Sequence, residues 1–517
     1  MVYAPSLSLV SAAVAVVILK VQETSAGSMY YGSFTVANTT DVISPSFPGY
    51  GADVADDDCA FEVTIDSTLP DLTTIPSVVA PFPELLCNSS VVPTEPISNK
   101  VGTYARGVTS PNDCATGWQK PSLAPTVQLN RNLKASSIVD QSLKRKRRLE
   151  GLNTPDVARL EAHFGATIVT NLESLPLGNI FSKTVWPAPY WPSYQDSINI
   201  AWKKGEASPA EKYATAFNLN VTEFMDNVSA KNGVDSRNQS PICTTNSDCV
   251  SDISEKIPKA CGIRSGKNSG YCIPKWYGVC HAWAAAAISE NEPKCAVTHN
   301  NVTFHPLDIK GLITNIYDGV GVKSVFTGIR YRGGNDVKDN FGRQSSPEFR
   351  DLNPGYFHIA ATNILGVLNS TFIVDVSAQR DVWNHPVRSF QVDEKTPMSL
   401  EVAAQTFYGL AKYPWNEAAS SIVYIKSRLV WVIDTYDDGG LSSPDAINRY
   451  TKFTDLTYLL ELDDLGDIIG GEWLYNSTSN HPDFLWLVES KPDPNAVTSF
   501  GLRNADVSIL MEKSVAC

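Results

Sequence analysis

Apolar positions recur at two spacings along this chain, and the change from one to the other divides it. In TPDVARLEAHF, Val157, Leu160 and Phe164 fall at helical intervals behind Thr154, a helix-capping type, and Pro155, which suits a first helical position. In SPAEKYATAF, Ser208 and Glu211 have the spacing of a capping box. Residues 149–240 are therefore expected to be mostly helical, with VWPAPYWPSYQDSINIAW as an aromatic, proline-rich loop. Past residue 300 extended patterning takes over. NPGYFHIAATNILG, NSTFIVDVSA, MSLEVAAQTFYGL, SRLVWVIDTYDDGG and TKFTDLTYLLELDDLGDIIGGEWL read as strands separated by Gly and Asp turns. The expected class is α+β, helix-rich early and sheet-rich late.

LVSAAVAVVIL, residues 9–19, is an apolar run too short to span a bilayer. It suits a signal-peptide core, with cleavage expected among small residues near Ala26. Residues 27–141 are rich in Ser, Thr, Pro and Val and read as irregular. The basic run Lys144–Arg148 follows; in an exported chain it is expected to end a pro-segment at a processing site. Eight N-x-S/T sequons (Asn38, Asn88, Asn220, Asn227, Asn238, Asn301, Asn369, Asn476) and ten cysteines agree with an oxidising export route. A net charge of −13 argues against nucleic acid as a partner, and no later run of apolar residues is long enough for a transmembrane helix.

The cysteines carry the chemistry. Residues 243–272 hold Cys243, Cys249, Cys261 and Cys272 at spacings that fit neither a zinc nor a haem site, so two local disulfides are expected. Loss of residues 1–148 would leave seven cysteines, an odd number, so one would stay free. In KWYGVCHAWAAAAIS, Cys280 precedes the helix-forming run Ala284–Ala287. A helix N-terminus favours a thiolate, the attacking form of cysteine, and supplies N–H groups to an oxyanion. A disulfide to Cys295 or Cys517 is an equal reading of the local sequence. A base is also required. His281 points about 100° around the helix from its neighbour, and His299 and His305 sit in a polar loop. His358 is expected on an apolar strand, and Asp375 interrupts FIVDVS, where a buried carboxylate needs a partner such as an imidazole. The plain alternative is a core histidine and a solvent-facing aspartate. Trp276, Tyr277 and Trp283 flank the cysteine and are expected to wall off water.

VWNHPVRSFQVDE, Val382–Glu394, resembles the surface peptide of the oomycete transglutaminase elicitors, best known as VWNQPVRGFKVYE; His385, Ser389, Gln391 and Asp393 depart from it. WYGVCHAW, FHIAATNILG, DIIGGEW and HPDFLW resemble further blocks of that family, over residues 149–517. The resemblance implies an extracellular or cell-wall, calcium-dependent protein-glutamine γ-glutamyltransferase with a papain-like core, acting on proteins that bear Gln and Lys. It implies Cys280 as nucleophile, His358 as base and Asp375 as the residue orienting it, with Asp381 and Asn384 competing for the third place. It also implies an exposed Val382–Glu394 peptide read by a plant receptor. The expected division is a signal peptide (1–26), pro-segment (27–148), helical domain (149–240), disulfide-rich insert (241–273), catalytic core (274–395) and β-rich C-terminal part (396–517). Where papain-like enzymes carry an oxyanion Gln, this chain has Pro274 and Lys275, which leaves the second oxyanion donor unassigned. DTYDDGG and ELDDLGD are acidic but lack EF-hand spacing, so no calcium ligands are assigned. Two other readings stand beside this one: a secreted papain-like cysteine protease with the same triad, and a non-enzymatic surface protein with Cys280 in a disulfide.

Overall fold

The strand β10 (Asn384–Met398) runs through the middle of a nine-stranded antiparallel sheet. On one side it pairs with β11 (Ser421–Val432), which pairs with β12 (Thr451–Leu462); β13 (Ile468–Trp473) and the two-residue β1 (Phe61–Glu62) share the outer edge of β12. On its other side β10 pairs first with β9 (Ile373–Asp375) and then with β2 (Gly178–Ile180). Beyond β9 lie β14 (Phe484–Val488) and β8 (Ser324–Gly328). This computed structural model describes Phe61–Glu62 and residues 154–517, apart from 204, 250–257, 321, 351, 380 and most of 332–346 and 436–449. The expected signal peptide, the basic run at 144–148, nearly all of the pro-segment and most of DTYDDGG lie outside the described residues.

The place of β10 corrects one expectation. Val382–Glu394 is not a surface peptide: Val382, Asn384, Val387 and Phe390 are fully buried, and of the whole stretch Asp393 alone is exposed. The cause is position. The strand is paired along both edges and covered by helices, so its apolar residues enter the core.

Among the described residues, the helices of eight or more residues are α1 (Thr154–Phe164), α2 (Pro209–Ala216), α3 (Val221–Asn232), α4 (Cys280–Ser289), α5 (Pro306–Val320), α6 (Pro354–Ala361) and α7 (Asn504–Val515). The helix α2 starts as its sequence implies, with Ser208 Oγ accepting the Glu211 N–H at 3.1 Å. α4 packs on β10 and against α5. Its residues Cys280–Ala287 are all buried, as expected of a helix without a polar face.

α6 corrects a second expectation, because NPGYFHIAATNILG is helical and not a strand. Asn353 caps the helix by accepting the Gly355 N–H at 2.8 Å, Pro354 fills its first position, and the helix continues as a π-turn over Thr362–Val367. It is buried all round, so its sequence shows no polar stripe and reads as a buried strand. MSLEVAAQTFYGL is likewise helical, over Leu400–Ala403 and a following π-turn, with Ser399 capping the Val402 N–H.

The disulfide-rich insert forms a small sheet of β3 (Ile242–Cys243), β4 (Lys259–Gly262) and β5 (Gly270–Pro274). Its two expected local disulfides are Cys243–Cys261 and Cys249–Cys272. Arg264 fastens it to the helical segment through Asp196, Asp226 and Asp235. A hairpin of β6 (Val297–His299) and β7 (Val302–Phe304) follows α4. The stretches 274–395 and 396–517 share one sheet, because β14 inserts between β9 and β8 and β11 pairs with β10. Cys295 joins Cys517 and ties the end of the chain to the segment after α4.

Candidate active site

Six of the seven cysteines after residue 148 pair, and the one left reduced is Cys280. It is the first residue of α4. The loop before it is held against the aromatic, proline-rich loop. The Val279 N–H donates to the Tyr190 carbonyl at 2.7 Å, the Ser193 N–H to the Tyr277 carbonyl at 2.8 Å, and the Tyr190 hydroxyl to the Lys275 carbonyl at 2.7 Å. Gly278 is pressed onto Tyr190 with no room for a Cβ.

The sulfur faces the start of β10. Cys280 Sγ lies 3.9 Å from the Val382 carbonyl oxygen and 3.7 Å from Asn384 Nδ2. The Asn384 oxygen Oδ1 accepts the indole N–H of Trp486, from β14, at 2.8 Å. Opposite Asn384 on β9 stands Asp375, its partner across the ladder. Asp375 is fully buried, and its Oδ1 accepts the Trp383 N–H at 3.2 Å. A second carboxylate, the half-buried Asp434, follows the end of β11.

Burial dominates the electrostatics. It pushes Asp375 up to about 8 against the pull of the Trp383 N–H and Arg330, and it pushes Asp434 up to about 6. It also raises the Cys280 thiol to about 11; the Asn384 N–H groups pull it down, and Asp434 and Asp375 push it further up. The resting sulfur is therefore a neutral thiol that feels the charge of two carboxylates, Asp375 and Asp434.

The expected imidazole is elsewhere. His358 stands on α6, not on a strand, and its Nδ1 is 2.8 Å from the Tyr458 hydroxyl. Its ring packs edge-on against Phe390, six residues along β10 from Asn384, a span of roughly 20 Å. Burial lowers its pKa to about 3, so it is a neutral core residue. Cys280 has no imidazole among its partners. His281 pairs with Asp318 of α5 at 3.2 Å, and His385 lies between the rings of Trp383 and Trp431.

Of the expected wall, Trp276 is buried and Tyr277 half-buried, with the Arg237 guanidinium over the Tyr277 ring at 4.3 Å. Trp283 is a core residue instead, fully buried and donating to the Trp186 carbonyl at 3.2 Å. Half-buried Trp383 is the aromatic that sequence reasoning missed; its ring meets Tyr190 edge-on at 5.3 Å. Asp381 is taken by the Trp383 indole at 2.7 Å. Asp434 and Trp486 were missed as well, since nothing in the local pattern separates them from neighbouring acidic and strand residues.

Among the described residues, the one close cluster of metal-ligand types is Cys243, Cys249 and Cys261, already consumed by disulfides. On β12, the acids Asp455 and Glu461 are bound to Arg428 and to Tyr413 and Asn416.

Residues 156–517 match the family model described as "Transglutaminase elicitor". No curated protein matches the chain. The crystal structure of the GP42 transglutaminase from Phytophthora sojae is similar at 52% identity and a TM-score of 0.65, covering 71% of this chain and all of that one.

Proposed function

The chain belongs to the transglutaminase elicitor family, and from that premise we propose that it is an extracellular protein-glutamine γ-glutamyltransferase working through a thioester on Cys280. One observation carries the reading: Cys280, reduced and at the first residue of a buried helix, faces Asn384 at 3.7 Å, on the rung that Asn384 shares with the buried Asp375. Asp434, near 6, is ionised at neutral pH, whereas Asp375, near 8, keeps its proton. Asp434 takes the thiol proton of Cys280, and the sulfur attacks the side-chain carboxamide of a protein-bound Gln. Asp375 protonates the departing nitrogen, ammonia leaves and a thioester forms. A Lys amine then attacks the thioester carbonyl and gives its proton to Asp375. The carbon–sulfur bond breaks, and the sulfur recovers its proton from Asp434. Asp375 thus keeps a catalytic role, but as acid and not as the support of His358.

Trp276, Tyr277 and Trp383 exclude competing water in this scheme. The papain-like description of the core belongs to the same proposal, supported by a helix-borne cysteine facing an antiparallel sheet. So does export, supported by three disulfides and by the exposed sequon residues Asn227, Asn238 and Asn301. Calcium enters as a dependence expected of the family, which a chelator tests. The receptor reading of Val382–Glu394 applies to the chain once β10 has been released from the sheet.

A secreted protease would use the same thioester and resolve it with water. The two part on incubation of the protein with a Gln-bearing protein and a labelled primary amine. Label incorporation by the wild type, and none by Cys280→Ala, supports transfer; backbone cleavage in its place overturns it.

A further inference from the structure

An asparagine amide can present either its oxygen or its nitrogen to a neighbour, and the two ends have opposite effects on a developing thiolate. At Asn384 the choice is fixed from behind. The indole of Trp486 has a donor and no acceptor, so the amide oxygen must turn to it, at 2.8 Å. The nitrogen is then left facing Cys280 Sγ at 3.7 Å. Both Asn384 and Trp486 are fully buried, and no water competes for either end. The reach is set by the sheet: Trp486 pairs with Ile373 of β9, and β9 pairs with β10 at Asn384, so the indole spans one intervening strand.

We propose that Trp486 is a positioning residue for Cys280: its indole N–H locks the Asn384 amide so that its N–H₂ group holds the sulfur as negative charge builds on it. The proposal rests on Cys280 being the nucleophile. It assigns a purpose to an indole donor that touches neither sulfur nor substrate. The surroundings give the device its weight, because Asp375 and Asp434 both oppose charge on the sulfur and the Asn384 donors oppose them. With the lock removed, the amide can turn its oxygen to the sulfur and add a third opposing group.

The test uses Trp486→Phe, which keeps the ring and removes the donor, and Asn384→Ala, in the full chain. The rate of Cys280 alkylation by iodoacetamide is followed against pH, beside kcat and KM for amine transfer and a thermal melt. In Trp486→Phe the alkylation profile is expected to move to higher pH by about one unit and kcat to fall about tenfold with KM unchanged, as for loss of one hydrogen bond to the charged state. In Asn384→Ala kcat falls about 100-fold. The double variant is no worse than Asn384→Ala, because Trp486 acts through Asn384. A wild-type alkylation profile in Trp486→Phe, or effects of the two changes that simply add, overturns the proposal. If Trp486→Phe does not fold, Asn384→Asp, which puts an acceptor before the sulfur, must shift the profile upward; no shift there overturns it too. Alkylation needs no turnover, so this outcome is independent of whether the chain transfers acyl groups: transfer undiminished in Cys280→Ala defeats the nucleophile reading and leaves the alkylation result standing.

Discussion

Asp375 and Asn384 stand opposite one another across the β9–β10 ladder, and the sulfur of Cys280 meets that rung from the tip of α4. The rung brings a carboxylate and an amide to the thiol. In the mechanism proposed above, Asp434 joins that rung and the acid and base are both carboxylates. Activity then needs Asp434 ionised and Asp375 protonated. It is lost as pH falls through about 6 and lost again as pH rises through about 8. Asp434→Asn removes the acid limb of the pH–rate profile and Asp375→Asn the alkaline limb, each with a fall in kcat of about 100-fold or more. Steady-state amine incorporation from pH 5 to 9 measures both.

His358 is expected to matter for stability and not for transfer. Its pKa falls from about 6.5 unfolded to about 3 folded, so the unfolded chain binds the extra proton between those values. The stability tied to its neutral form is complete above the unfolded value and is lost as pH drops toward the folded one. His358→Gln should keep amine transfer within a few-fold of wild type. Between pH 7 and pH 5 it should lose about 2 kcal/mol less stability than wild type, read from urea melts at the two pH values.

Gly278 has no space for a side chain. A Cβ there would stand 2.5 Å from the Tyr190 ring and 2.5 Å from its carbonyl oxygen. Gly278→Ala must push the loop off Tyr190, at a cost of about 1–3 kcal/mol. Because Cys280 is two residues on, kcat should fall with it, while Gly266→Ala, in open space at the tip of the disulfide-rich insert, should leave kcat unchanged. Melting temperature and kcat of the two variants test this.

Cys295–Cys517 closes a long loop, and its removal by the double change to Ser should cost about 2–4 kcal/mol, mainly by freeing the unfolded chain. In protein freed of residues 1–148, one reactive thiol per molecule should remain, at Cys280, in a thiol count without reductant.

The chemistry of the site was legible unevenly, and the reasons are physical. Cys280 could be read because a helix-forming run, an odd number of cysteines and a dense local cluster of four converge on it. Asp375 could be read because a carboxylate inside FIVDVS has to be compensated. The donor behind Asn384 could not, since pairing across the sheet joins residues remote in sequence: Trp486 reaches Asn384 over 102 positions. The helix at His358 was read as a strand because full burial erases the polar stripe that marks a helix. The strand β10 was expected at the surface by resemblance, whereas pairing along both its edges puts it inside.

Acyl transfer through one sulfur passes through a covalent intermediate, and trapping it is the most direct test. The protein is mixed with a Gln-bearing substrate peptide, quenched in acid within the first turnover and digested for mass spectrometry. The account requires the peptide spanning Cys280 to gain the mass of the substrate less ammonia, and that adduct to vanish when a primary amine is supplied. Amine transfer at full rate with no adduct on Cys280, or transfer undiminished in Cys280→Ala, contradicts it.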